Sequence, residues 1–335
     1  MIWKLEQKKD DILPALQLSY DELPIHLKQC SAFCSLFPKD YQFNSFDLIH
    51  LWMANGLLSE TTSNTQDLED VGHSYIKELL SRSFFQFTPH SSDFKMHDLI
   101  HDLAIFIAQG ECLVVDGGTK DDETVHHLSF SKMGEEIPKC LDNLTNVHTV
   151  MPNRHFQPFS LSLVEACILK FEYLRLLNLK FSSFEVLPSS IGTLKYLRYL
   201  NFSHNRRIKL LPNSICKLHN LQTLILGRCS ELEQLPKDIR NMINLRSLVV
   251  TILKDACLLK NGPLTSLRFL CVFECSRLEV FSQGMDECLT NLRTLEISGC
   301  HSLSSLSINI KHLTALENLY IEDCRDLSLM GERRQ

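Results

Sequence analysis

The sequence predicts an α/β chain in two parts, a small helical domain closed by a β-hairpin and then a solenoid whose short strands stack into a curved parallel sheet. Two observations predict it. From Leu174 onward a Leu-x-x-Leu-x-apolar pattern returns every 22 to 25 residues. Residues 1–110 lack that pattern and carry apolar residues at helical spacing, ending in a short aromatic stretch. The regimes change within 111–124, a linker or repeat cap where GECLVVDGGTKDDE turns polar and glycine-rich. The repeats then occupy 125–335.

In the first part, DDILPALQLSYDELP reads as one amphipathic segment, and Pro24 opens a second helix over Ile25–Leu36, where a first-turn proline is tolerated. A third spans Phe46–Asn55 and stops at Gly56, and a fourth covers Leu68–Ser81. The run SRSFFQFTPHSSDFKMH reads as two aromatic strands around Pro89–Asp93, after which Asp98–Ala108 returns to helix. Small helices followed by a hairpin make a winged-helix-like domain. The row Trp52, Met53, Leu57, Leu58 and the pair Cys30 and Cys34 read as its core.

In the second part the pattern begins at Leu174, Leu197, Leu221, Leu245, Leu267, Leu292 and Leu316. Alternation along each strand puts the second and third apolar residues inside, and one repeat cannot bury them alone, so neighbours must stack in parallel. Asn205, Cys229, Cys275, Cys300 and Cys324 follow the strands at one fixed position, where a small polar or thiol side chain satisfies the backbone of the departing turn. Leu187-Pro188-x-x-Ile191, Leu211-Pro212-x-x-Ile215 and Leu235-Pro236-x-x-Ile239 mark the opposite side, where proline costs no ladder bond. Val125/Leu128/Phe130 and Val147/Val150 read as degenerate first repeats.

The outward residues between the inward pairs are the candidate partner-binding positions. They form two columns, Asn178, Asn201, Ile225, Val249, Cys271, Glu296 and Tyr320, and then Lys180, Ser203, Gly227, Thr251, Phe273, Ser298 and Glu322. An arginine follows the first leucine in five repeats, as Arg175, Arg198, Arg246, Arg268 and Arg293. It could dock an acidic partner, or it is repeat filler.

A net charge of −6 gives no field that collects phosphate backbones or anionic lipid, so neither nucleic acid nor membrane is an expected partner. No apolar run is long enough to span a bilayer, and the first residues carry charges where a signal peptide needs an apolar core. The thirteen cysteines contain no CxxC pair and are read as reduced thiols in the cytoplasm. The sequons at Asn143 and Asn201 would have meaning only for an extracellular repeat protein.

The runs ILPALQLSYDELPIHLKQCSAFCSLFPKDYQF, LIHLWMANGLL and KMHDLIHDLA, followed by LPxxIxxLxxL repeats, resemble the coiled-coil class of plant nucleotide-binding leucine-rich-repeat disease resistance proteins. That resemblance implies a defence receptor whose repeats recognise a pathogen effector or a guarded host protein and hold an ADP/ATP switch at rest. It also implies that His97 of Met96-His97-Asp98 contacts the nucleotide diphosphate, with Asp98 capping the helix start beside it, and that the family's own nucleotide-binding domain is a further partner. This chain has no GxxxxGK[ST] loop. No nucleotide is therefore expected on it alone, and the chain is read as a C-terminal fragment. The competing reading is a truncated adaptor or decoy that binds a protein without nucleotide. No enzyme is expected: His97 and His101 share a helical face, but His101 and Asp102 read as solvent-facing over a core of Leu99, Leu103, Phe106 and Ile107.

Overall fold

A computed structural model describes residues 16–58, 67–115, 124–131, 137–153, 158–251, 264–275, 278–281, 289–306 and 313–327. The linker residues 116–123 and the start of the first helical segment lie outside them. The chain forms two compact units, 1–132 with 138–154, and 133–137 with 155–335.

The first unit holds helices α1 (Ile25–Phe33), α2 (Ser45–Asn55), α3 (Leu68–Ser81) and α4 (Asp98–Ile107), with the hairpin strands β1 (Phe85–Phe87) and β2 (Phe94–Met96) between the last two. Local chemistry sets the bounds of α2. Asn44 accepts the Asp47 N–H at 2.7 Å as N-cap, and Gly56 takes the left-handed conformation at φ 72° as C-cap. The hairpin is antiparallel, with Phe85 opposite Met96, and Phe43 adds a bridge to Phe94. Rings of Phe43, Phe85 and Phe94 pack at centroid separations of 5.0 to 6.0 Å, which is why this aromatic stretch folds inward as a wing. Trp52, Met53 and Leu58 are buried, as are Cys30 and Cys34.

Helix α4 differs from its expected orientation. Its buried face is Ile100, His101, Leu103 and Ala104, whereas Phe106 is 56% exposed and Ile105 44%. His101 is not a solvent residue: its Nε2 lies 2.8 Å from the Phe37 carbonyl, a partner an imidazole can reach from a mostly apolar face. Asp102 is half-buried and pairs with Lys39.

Three parallel strands complete this unit, β3 (Cys112–Val115), β4 (His127–Phe130) and β5 (Thr149–Pro152). Polar bonds, mostly buried, join β4 and β5 to the helical part. The Leu36 carbonyl accepts from Ser129 Oγ at 2.7 Å and from Asn153 Nδ2 at 2.8 Å. Thr149 donates its hydroxyl to Asn55 Oδ1 at 2.9 Å, and the His127 ring nitrogen lies 2.9 Å from that hydroxyl oxygen.

The second unit opens with helix α5 (Leu161–Lys170), which no repeat spacing in the sequence announces. Ser160 caps it, accepting the Leu163 N–H, and Leu163, Val164, Cys167 and Ile168 are buried. Seven parallel strands come after it: β6 (Leu176–Asn178), β7 (Tyr199–Asn201), β8 (Thr223–Leu226), β9 (Ser247–Thr251), β10 (Phe269–Phe273), β12 (Thr294–Ser298) and β14 (Asn318–Glu322). A separate pair, β11 (Val280–Phe281) and β13 (Ser305–Leu306), lies outside this sheet. Every inward residue from Leu174 to Ile297 in the pattern is at most 2% exposed. At about 1.5–3 kcal/mol for each fully buried aliphatic side chain, these rows outweigh any single polar contact in the unit.

Among the described residues, the turns leaving the strands of this sheet repeat one geometry. Phe181, His204, Arg228, Glu274, Gly299 and Asp323 occupy the same repeat position, and all have φ between 46° and 65°. Only one is glycine, so the residues next in the chain must hold the strain. Asn205 donates to the Leu179 and Phe202 carbonyls at 2.8 and 2.7 Å, and Cys229 reaches the Phe202 carbonyl at 3.3 Å. Cys300 and Cys324 make weaker sulfur contacts of the same kind at 3.8 and 3.9 Å. The polar column therefore closes the turns, as its spacing suggested.

Two stability outcomes are expected in urea or thermal melts. Gly72→Ala should destabilise by about 1–2 kcal/mol, since a methyl there would stand 2.7 Å from buried Ile49, and that crowding exceeds the ~1 kcal/mol helix gain. Asn205→Ala should lose roughly 1–2 kcal/mol, because the Leu179 and Phe202 carbonyls each lose a buried side-chain donor but keep a turn N–H, while Asn205→Cys loses less because a thiol restores one contact. Equal losses for the two Asn205 variants would show that the turn does not depend on this donor.

Candidate partner-binding face

The parallel register builds both predicted columns. Asn178, Asn201, Ile225, Val249, Cys271, Glu296 and Tyr320 stand opposite one another on successive strands. In the second column Thr251, Phe273, Ser298 and Glu322 are likewise opposite one another.

Burial divides the face. Asn201, Ser203, Ile225 and Thr251 are buried, whereas Asn178, Lys180, Val249, Cys271, Phe273, Glu296 and Ser298 are half-buried, and Tyr320 and Glu322 are exposed. Asn201 is also used internally: its Nδ2 donates to the Tyr199 hydroxyl at 3.0 Å and its Oδ1 accepts the Ser203 N–H at 2.8 Å. It has nothing to offer a partner, and no room for a glycan. At the near end Lys180 Nζ sits 5.2 Å over the Phe181 ring, which stacks on His204. A β-carbon on Gly227 would stand 3.0 Å from the Phe273 ring, so glycine there lets the aromatic lie flat across the sheet. The open part runs from β9 to β14 and combines apolar, aromatic and acidic side chains.

A third column belongs to this face and was missed: Leu176, Tyr199, Thr223, Ser247, Phe269, Thr294 and Asn318, again in register. Extending the period-two alternation one step back from each second leucine would have found it. Its first four members are buried, Phe269 and Thr294 are half-buried, and Asn318 is exposed.

His97 lies in the first unit, exposed at the start of α4. The structure corrects the assignment of the cap: His97, not Asp98, is the N-cap, and its Nδ1 accepts the Leu99 N–H at 3.3 Å. Asp98 is the first helical residue, where its charge favours the helix dipole. An accepting Nδ1 places the proton of a neutral ring on Nε2. The exposed edge therefore presents an N–H donor, the group a phosphate oxygen requires.

Among the described residues, no three His, Cys, Asp or Glu side chains gather to hold a metal, and no helix is long and apolar enough to cross a membrane. Every described cysteine is a free thiol. Burial lifts the thiols of Cys112, Cys167 and Cys229 to about 12. Cys271 also rises to about 12, by burial first and then by the neighbouring Glu296 carboxylate.

Residues 36–104 match the family model described as the winged helix domain of disease resistance proteins, and residues 162–331 match that of a leucine-rich repeat region. The chain is 39% identical over 211 residues to the disease resistance protein RGA1 of Solanum bulbocastanum, covering 62% of this chain and 19% of that protein. It is 39% identical over 196 residues to disease resistance protein RGA2 of the same plant, 58% of this chain and 18% of that protein. The RPP13-like protein 1 of Arabidopsis thaliana is 35% identical over 212 residues, with 62% and 18% covered. The match thus spans less than a fifth of each of these relatives.

The state of Cys271 yields a measurable outcome. At pH 8 its thiolate population should be roughly a thousandfold below that of an ordinary cysteine, and iodoacetamide labelling followed by mass spectrometry should be slower in proportion. Glu296→Gln should speed labelling several-fold by removing the adjacent negative charge. An unchanged rate would show that Glu296 does not govern this thiol.

Proposed function

We propose, from the premise that this chain belongs to the plant leucine-rich-repeat disease resistance family, that it is the recognition and regulatory segment of a defence receptor. The open half of the sheet, Val249, Cys271, Phe273, Glu296, Tyr320 and Glu322, takes up a pathogen effector or a guarded host protein in the cytoplasm. His97 donates its Nε2 proton to the diphosphate of an ADP held mainly by the receptor's nucleotide-binding domain. Binding at the repeats then biases a two-state switch toward its active form.

The observation that carries this reading is the in-register face itself. Parallel stacking holds chemically varied side chains at fixed intervals on a rigid sheet, and only part of that sheet is open. Such a surface recognises a shaped protein partner rather than a small substrate. For His97 the support is an exposed ring fixed by its own cap bond, with the donor edge outward.

The test uses the full-length receptor. A Phe273→Ala, Tyr320→Ala double variant, accumulating to the same level in leaves as the parent, should lose at least about tenfold of pathogen-triggered ion leakage, since aromatic anchors dominate protein interfaces. Undiminished leakage would remove this face from recognition. Separately, His97→Ala should raise the ADP dissociation rate of the purified receptor, and an unchanged rate would detach His97 from the nucleotide.

A further inference from the structure

The open half of the sheet carries a distinct chemistry where β12 and β14 lie side by side. Glu296 stands opposite Tyr320, and Ser298 stands opposite Glu322. Residues two apart on one strand share a face and lie about 6.6 Å apart, and neighbouring strands are about 4.8 Å apart. The four residues therefore mark the corners of a small rectangle on one face. Carboxylates occupy one diagonal, and a tyrosine ring and a serine occupy the other. Tyr320 and Glu322 are exposed, and Glu296 and Ser298 are half-buried.

The arginines around this rectangle are matched to other acids. Arg228 pairs with Glu274 at 3.8 Å, Arg293 with Glu317 at 2.8 Å, and Arg325 with Asp323 at 3.4 Å. Among the described residues, no cation meets the carboxylate of Glu296 or of Glu322. Glu296 accepts the Cys271 thiol, a weak donor that leaves most of its lone pairs open. Two like charges about 8 Å apart on one face repel, and a cation set between them turns that repulsion into attraction. The net charge of −6 also favours the approach of a basic partner.

The aromatic corner narrows the choice of cation. A guanidinium is planar, stacks on an aromatic ring and bonds carboxylates through a fork of N–H donors, whereas an ammonium is a compact and strongly hydrated point charge. Serine at the fourth corner is short, so a flat group has room beside Tyr320 and between the carboxylates.

We propose that this end of the face holds a basic protein surface by one arginine, seated on Tyr320 and paired with Glu296 and Glu322. The inference rests on the recognition reading above and adds to it the chemistry of the partner.

The experiment titrates the full chain into a fluorescein-labelled (Arg-Gly)4 octapeptide at low salt and follows fluorescence anisotropy. Saturable binding is expected, weakened by added salt and at least about tenfold weaker for Glu296→Gln/Glu322→Gln. Glu322→Gln alone, at an exposed position where folding is not at stake, should already weaken it several-fold. A (Lys-Gly)4 peptide should bind several-fold more weakly than (Arg-Gly)4, and Tyr320→Leu should remove that difference. Glu172→Gln, just after α5, should change nothing, which separates the face from attraction by net charge. Absent binding, or equal binding by the parent and the double glutamine variant, would overturn the proposal. Displacement by spermidine at equal or higher affinity would also overturn it, in favour of a small polyamine site. In the full-length receptor, pathogen-triggered ion leakage should fall in Glu296→Gln/Glu322→Gln. Leakage lost by Phe273→Ala/Tyr320→Ala but kept by the glutamine pair would overturn the arginine seat and leave the recognition face standing, whereas leakage kept by both would remove both.

Discussion

A single repeat of this chain cannot bury its own leucines, and most of the second unit follows from that constraint. Leu197, Leu200 and Leu224 leave solvent only because the next strand stands beside them in parallel and in register. Once the register is set, every other position is set with it. The residues between the leucines must line up into columns, and the turns after the strands must share one conformation. That conformation is left-handed, and side chains as bulky as Phe181 and Arg228 adopt it. Each such residue costs on the order of 1 kcal/mol, a sum that the rows of buried aliphatics offset several times over. The backbone thus accepts local strain to keep the hydrophobic stack.

The first unit obeys a different rule. Its helices do carry an apolar core, but β4 and β5 are tied to the helical part through largely buried polar groups. The Leu36 carbonyl uses both of its lone pairs, one on Ser129 and one on Asn153. Asn55 and Thr149 form a second link, backed by His127. A buried bond of this kind adds only about 1 kcal/mol when made, yet leaving one partner unpaired costs more, so such links specify position better than they add stability. This explains why the strands before residue 154 group with the helices although their sequence already resembles a repeat.

Much of this was legible in the sequence, for definite reasons. The cap at Gly56 is a local code, and the leucine period and the turn-closing asparagine and thiols are readable because they recur at one fixed position of the repeat. The register of the seven strands follows from the period alone. The features that escaped depend on which polar groups the fold brings within reach, near or far in the chain. Helical spacing gave α4 a face through Phe106, yet the core lies on the side of His101, because the Phe37 carbonyl supplies a hydrogen-bond acceptor 64 residues away. Asn201 reads as an outward polar residue, but the Tyr199 hydroxyl and the Ser203 amide consume it. The column from Leu176 to Asn318 was available to the same alternation rule and was lost by starting one step late.

The columns also explain where selectivity can reside. Positions such as Tyr199, Asn201 and Thr223 are closed and mutually bonded, so changing them alters the scaffold before it alters any surface. From Val249 onward the same columns open, and a substitution at Glu296 or Tyr320 changes the presented surface while leaving the inward leucines untouched. A repeat sheet of this kind separates the residues that maintain it from those that can vary. The separation is written in burial rather than in residue type, since asparagine occurs on both sides of it, buried at 201 and half-open at 178. Substitutions along one half of the sheet can therefore change the presented surface at little cost in stability, because side chains there are not counted in the hydrophobic stack.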